Sequence, residues 1–169
     1  MTRARPDAQA LWEAVAGVPD PEVPALSVVD LGIVRDIRVD AGEVVVDVTP
    51  TYSGCPAMHV IETDIVAAIR AAGADHVTVR TVYHPAWTTD WLSESAREAL
   101  RRSGIAPPAP TSRDADELIP LRRREAPPVP CPWCGSRQTE LRSEFGPTAC
   151  KAIHFCNDCR QPFEHFKPL

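Results

Sequence analysis

The chain has 169 residues, 44% hydrophobic and 24% charged, with a formal net charge of -5. That is the balance of a soluble globular protein, long enough for one compact domain and a small accessory one, and its acidity excludes a general nucleic-acid binder, whose electrostatic footprint is basic. No apolar run approaches the ~20 residues of a bilayer span, and no apolar stretch follows the two arginines near the start, so neither a membrane span nor a secretory leader is expected and the cytoplasm is the expected compartment.

Residues 7–17 predict a short helix. Leu11, Ala14 and Val15 follow helical spacing, Asp7 can cap the start, and Gly17 and Pro19 stop it. Pro19, Pro21 and Pro24 predict a loop over 19–32, because proline cannot donate to a strand ladder. Two strands are expected next. Residues 33–39 alternate, with Ile33, Ile37 and Val39 on one face, and residues 44–49 are nearly all apolar and therefore the more buried of the pair. Asp40-Ala41-Gly42-Glu43 supplies the turn between them. A loop over 49–56 leads to Pro56, in the expected first turn of a second helix. Its apolar stripe is Ile61, Ile65, Ala68, Ile69 and Ala72, and Gly73 ends it. Residues 76–82 predict a third strand, broken by Pro85. Trp87-Thr88-Thr89-Asp90-Trp91 leads into a third helix ending near Ser103-Gly104. The two tryptophans suit core packing or an interface.

Residues 106–130 change character, with seven prolines in 25 residues and the run Arg122-Arg123-Arg124. They read as a stiff, solvated linker between a domain over 7–105 and a module over 131–169. The module holds five of the six cysteines. Cys131-Pro132-Trp133-Cys134 and Cys156-Asn157-Asp158-Cys159 form two C-x-x-C steps with 21 residues between them. In a reducing compartment such steps are metal ligands rather than disulfides, because two intervening residues let a tight turn aim both sulfurs at one tetrahedral ion. Four thiolates close the coordination sphere, so a structural zinc ion is expected, with iron as the other ion such a cage takes. Gly135 suits the residue after the first knuckle, which often needs φ > 0; the second knuckle has Arg160 there, so its turn must differ or be strained. Cys150 reads either as a small buried hydrophobe or as a functional thiol.

Cys55 lies in a Gly-Cys-Pro step just before the second helix. A helix N-terminus favours anions and lowers a thiol's pKa, so a thiolate there can attack an electrophile or hold a soft metal ion. From the residues alone it is a functional thiol or a cysteine that packs in a loop. Thr51, Tyr52 and Ser53 offer hydroxyl donors nearby. Asp20, Glu22 and Asp30 suit turn formation unless the fold brings their loop beside Cys55. His59 would lie one turn into the helix and marks no obvious catalytic base.

Several of these strings match a known pattern. Asp20-Pro21-Glu22, Val28-Val29-Asp30-Leu31-Gly32-Ile33-Val34, Thr49-Pro50-Thr51 and Gly54-Cys55-Pro56 resemble the small domain of SufT-type iron–sulfur assembly factors, over residues 8–103. Gly54-Cys55-Pro56-Ala57-Met58, Trp87-Thr88-Thr89-Asp90-Trp91, Phe145-Gly146, Thr148-Ala149-Cys150-Lys151-Ala152, Pro162-Phe163 and Phe166-Lys167 narrow the resemblance. With the four-cysteine module they are similar to the D-subunit family of the bacterial phenylacetyl-CoA epoxidase, a ring-epoxidising monooxygenase complex. The sequence departs from that pattern at Pro147, where a small polar residue is expected.

The resemblance implies an α/β (α+β) fold, a three-stranded sheet with about three helices followed by a zinc-ribbon-like module. It implies a role in phenylacetate degradation beside other subunits, namely a di-iron oxygenase and a flavin and [2Fe–2S] reductase. The chain carries no di-iron carboxylate signature, dinucleotide fingerprint or ferredoxin cysteine spacing, so it is not expected to catalyse the epoxidation. The resemblance makes Cys55 the reactive thiol, a transient carrier of iron, an Fe–S cluster or sulfur, with Asp20 and Thr51 as its neighbours. The reductase is the implied client, and a homodimer is common in such domains. The other reading is a non-catalytic structural component of the complex that docks partners through the zinc module.

Overall fold

The computed structural model describes residues 7–40, 42–52, 54–109 and 127–168. They form two compact units, the first ending at Ala99 and the second starting at Leu100.

The first unit opens with α1 (Ala8–Ala16), whose N-terminal amides are capped as expected: the Ala10 N–H donates to Asp7 Oδ1 at 2.8 Å. Leu11 and Val15, one turn apart, are fully buried. The proline-rich loop that follows is closed by an isolated antiparallel bridge between Pro19 and Ser27. It contributes Val18, Val23, Leu26, Val28 and Leu31 to the core. β1 (Val34–Asp40) and β2 (Glu43–Val48) then form the expected antiparallel hairpin, closed by the Asp40–Glu43 pair. α2 (Met58–Ala71) buries Ile61, Ile65 and Ile69, and Gly73 ends it at φ 106. β3 (Val77–Thr81) lies parallel to β2, giving the order β1-β2-β3. A short 3-10 turn (Thr89–Trp91) precedes α3 (Glu94–Arg102). α1 packs on α2 and β1, and α2 packs on β3.

Two details differ from the expected pattern. Val34 faces Val48 while Asp36 faces Asp47, so Arg35 is the extra residue of a bulge. The bulge buries Val34 and Ile37, three residues apart, and the apolar stripe ends before Val39, which is 47% exposed. The other side of the hairpin is polar. Asp47 accepts hydrogen bonds from Arg80 Nε at 2.9 Å and from Arg38 at 2.6 Å. The Arg80 and Arg38 guanidinium groups hold its carboxyl below the usual carboxylate range.

The second unit is a four-stranded sheet of β4 (Ile105–Ala106), β5 (Thr139–Ser143), β6 (Lys151–Cys156) and β7 (Pro162–Phe166), in the order β4-β7-β6-β5. β4 pairs parallel with β7, and the other neighbours are antiparallel. Residues 105 and 106, expected to end a domain and begin a linker, are thus a strand of this sheet. A two-residue strand has no periodicity for a sequence to display. Lys151 is buried and paired with Glu164 at 2.9 Å on one face. On the other, His154 and His165 meet edge to face at 5.2 Å, and burial lowers the pKa of both, that of His165 to about 4.

Candidate metal centre and thiol site

All six cysteines are reduced. Cys131, Cys134, Cys156 and Cys159 bring their four sulfurs within 4.8 Å of one another, the one such cluster of metal-ligating groups among the described residues. Cys131 and Cys159 sulfurs are 3.7 Å apart, and those of Cys134 and Cys156 are 3.6 Å apart. A disulfide would hold them at about 2.05 Å. The edge of a tetrahedron with Zn–S bonds of ~2.3 Å is about 3.8 Å. The spacing therefore suits one tetrahedral ion and excludes disulfides. Chemistry agrees. The backbone N–H of Cys159 pulls the Cys156 thiol down to about 7, whereas desolvation pushes Cys159 up to about 12. Four sulfurs this close ionise together only around a cation.

The two knuckles are copies of one turn. In the first, Gly135 N–H donates to the Cys131 carbonyl at 2.9 Å and Cys131 N–H to the Ser136 carbonyl at 2.9 Å. In the second, Arg160 N–H donates to the Cys156 carbonyl at 3.0 Å and Cys156 N–H to the Gln161 carbonyl at 3.0 Å. Both turns need a left-handed residue, with Gly135 at φ 74 and Arg160 at φ 61. Of the two options open for the second knuckle, strain is realised and a different turn is not. The Ser136 hydroxyl donates to Asp158, and Asn157 N–H donates to the Gln138 carbonyl at 2.8 Å, tying one knuckle to the other. Behind them Cys131 and Cys156 pack with Ala106, Phe163 and Val129. Cys150 is buried, with Thr148 Oγ1 3.2 Å from its sulfur.

In the first unit, three loops converge on one end of the sheet. β2 and β3 run parallel, so both end there, and β1 begins there. Thr49 N–H donates to the Ile33 carbonyl at 2.8 Å and Val82 N–H to the Val48 carbonyl at 2.7 Å, stitching the end together. Loops at the carboxyl ends of parallel strands are the usual place for a site in an open α/β sheet. Cys55 is in the loop leaving β2, half-buried. Its N–H donates to the Tyr52 carbonyl at 3.0 Å, and its carbonyl accepts from Met58 N–H at 3.4 Å, so it stands one short turn ahead of α2. Thr51, also half-buried, is in the same loop. Asp20 is buried in the loop that leads toward β1, where its Oδ1 accepts the amides of Glu22 at 2.9 Å and Val23 at 2.7 Å. Asp30 likewise caps Ser27. Asp20 and Asp30 thus do the turn-forming work their type suggests.

Trp87 and Trp91 both make contacts within the first unit. Trp87 is buried and donates its indole N–H to the Leu31 carbonyl at 2.8 Å. Trp91 lies under the Arg35 guanidinium at 3.6 Å and against Gly32, whose φ is 68. The sequence placed the ribbon and marked Arg160 as the residue of a strained or different turn, but not the individual strands of the module or the stacking of Arg142 and Arg160 on Phe155.

Comparison with known proteins agrees in both units. Residues 8–81 match the iron-sulfur cluster assembly protein family, and residues 116–167 match the PaaD zinc beta ribbon domain. The chain is 45% identical over 98% of its length, and 96% of the relative's, to a protein of Escherichia coli K12 described as the D component of 1,2-phenylacetyl-CoA epoxidase. It is 33% identical, over 54% of its length and 95% of the relative's, to the Fe-S protein maturation auxiliary factor YitW of Bacillus subtilis. Among solved structures, a domain of unknown function DUF59 from Bacillus anthracis superposes with a TM-score of 0.51 at 28% identity, over 54% of this chain and 89% of that one. A conserved hypothetical protein from Thermotoga maritima gives 0.50 at 33% identity, over 58% and 96%. With both units matched in order and nearly the whole length aligned, the chain belongs to the family of phenylacetyl-CoA epoxidase D subunits, an iron–sulfur assembly-type domain followed by a zinc ribbon.

Proposed function

We propose that this chain is a maturation factor of the phenylacetyl-CoA epoxidase system, which passes iron or an Fe–S cluster to a partner through Cys55. The observation that carries the reading is the distribution of thiols. Four of the six cysteines are committed to the tetrahedral cluster and Cys150 is buried; Cys55 alone is outside that cluster, partly exposed, and in a loop at the carboxyl end of the sheet. The Fe–S maturation function named for the Bacillus subtilis relative supports the same assignment.

In this reading Cys55 loses its proton to water and its thiolate donates a lone pair to the iron of the cargo. A client thiolate then displaces it, one Fe–S bond forming as the other breaks. No electron changes hands, so no oxidant is needed. Asp20 keeps its loop folded beside the sheet end through its two amide hydrogen bonds, and Thr51 is the hydroxyl neighbour on the thiol's own loop. The ion of the ribbon is zinc, held by Cys131, Cys134, Cys156 and Cys159. It stabilises a module too small to fold on its own core and leaves no open coordination position for chemistry. The client is the [2Fe–2S] flavin reductase of the complex, and the protein works in the cytoplasm.

The test is to produce the reductase with this protein, with its Cys55→Ser variant, or with neither, and to measure iron and sulfide per reductase. Cluster content should fall with the variant to the level seen without the protein. A full complement in all three would sink the proposal. The second reading is a non-catalytic structural role with docking through the zinc module; Trp87 and Trp91 do not add to it, since both make contacts inside the first unit.

A further inference from the structure

Among the described residues of the second unit, two departures from regular backbone each carry an arginine. In β5, Leu141 faces His154 and Ser143 faces Ile153, so Arg142 is the extra residue of a bulge. At the second knuckle, Arg160 is the non-glycine residue at positive φ. A left-handed conformation costs an arginine roughly 1–2 kcal/mol that glycine would not incur. The equivalent position of the first knuckle has that glycine, at Gly135.

Both irregularities lead to one ring. The guanidinium carbons of Arg142 and Arg160 each lie 5.0 Å from the centre of Phe155. A guanidinium stacked on an aromatic face is held in place while its in-plane N–H donors still point outward. Arg142 spends some of these on Glu140, at 2.5 Å. Arg160 is exposed and has no carboxylate partner among the described residues. The wider charge agrees, since Lys and Arg outnumber Asp and Glu by 11 to 8 over residues 100–169, against 7 to 15 over residues 1–99.

We propose that Arg142, Phe155 and Arg160 form a docking clamp for a carboxylate-rich segment of a partner protein, with Arg160 as its anchor. Forked guanidinium donors match carboxylates two bonds at a time, and a pre-stacked side chain loses little entropy on binding. The bulge at Arg142 interrupts the ladder of the edge strand, so the segment lies across the clamp's side chains rather than adding as a fifth strand. The proposal needs the chain to work beside other subunits, and it does not involve Cys55.

Peptides of about 15 residues tiling the other subunits of the epoxidase are the probe, with a single-stranded oligonucleotide as a second polyanion. Binding to the full-length protein is measured by fluorescence anisotropy for wild type, Arg160→Gly, Arg142→Gln and Cys55→Ser. Acidic peptides should bind wild type and Cys55→Ser alike, and bind Arg160→Gly at least tenfold more weakly although its melting temperature is equal or higher. Arg142→Gln should weaken binding by a smaller factor. Equal binding to Arg160→Gly overturns the clamp, as does a failure of every acidic peptide to bind. Arg160-dependent binding of the oligonucleotide alone overturns it in favour of a nucleic-acid partner, and Arg160-dependent self-association in favour of a second copy.

Discussion

Gly135 and Arg160 occupy the same place in two copies of one turn, at φ 74 and φ 61, each donating its N–H to the carbonyl of the first cysteine of its knuckle. One position is filled by the residue the conformation favours and the other by a residue it penalises. Arg160→Gly should therefore raise stability by about 1 kcal/mol, less whatever its stacking on Phe155 contributes. Gly135→Val should lower it by at least as much, because a β-branched residue tolerates positive φ worst. Chemical denaturation of the zinc-loaded protein measures both.

Removing the metal should unfold the ribbon and spare the assembly domain. The core of the second unit is built on Cys131 and Cys156 themselves, packed with Ala106 and Phe163. A chelator strong enough to strip the site, or Cys156→Ser, should abolish amide protection in β5, β6 and β7 while α1, α2 and β2 keep theirs. Hydrogen exchange read by mass spectrometry reports the two units separately.

Gly104, unlike Gly135, has no room for a side chain. It lies at φ 76, and a Cβ there would overlap the Trp133 ring of the first knuckle. Gly104→Ala should cost about 1–2 kcal/mol, from backbone strain with the indole displaced. The indole N–H resonance of Trp133 should shift, which separates displacement of that ring from a general loss of stability.

Asp47 gives the assembly domain an acid limit. Hydrogen bonds from Arg80 and Arg38 keep it ionised in the fold below the pH at which it would protonate in the unfolded chain. Its contribution is thus present above pH ~4 and is lost as pH falls through its lowered folded value. Asp47→Asn should be less stable at neutral pH and should lose less stability than wild type between pH 5 and pH 2. Urea titrations at stepped pH, followed by the signal of the first unit, provide the check.

Helices α1 and α2 were legible because burial at Leu11 and Val15, and at Ile61, Ile65 and Ile69, repeats with the helical period between clear stops. The hairpin was legible from Asp40 and Gly42, and the metal centre from cysteine spacing alone. The bulge at Arg35 was not, since a one-residue slip leaves no mark in composition and shows only as Val39 facing solvent. Strand β5 was also hidden. Glu140, Leu141, Arg142 and Ser143 are all exposed, so no alternation betrays the strand. The Cys55 loop was recognisable by its Gly-Cys-Pro step, but no local pattern could say that the loop leaving β3 starts at the same end of the sheet. That follows from the parallel pairing of β2 with β3, a long-range contact.

Cargo binding at Cys55 is read from the metal content of the protein purified without oxygen, wild type beside Cys55→Ser, after incubation with ferrous iron and sulfide and removal of unbound ions. About one zinc per chain is expected in both proteins. Iron, with or without sulfide, is expected only in wild type, with release of that iron to the apo-reductase. Zinc in both, with equal iron in both or none transferable from wild type, would contradict the role assigned to Cys55.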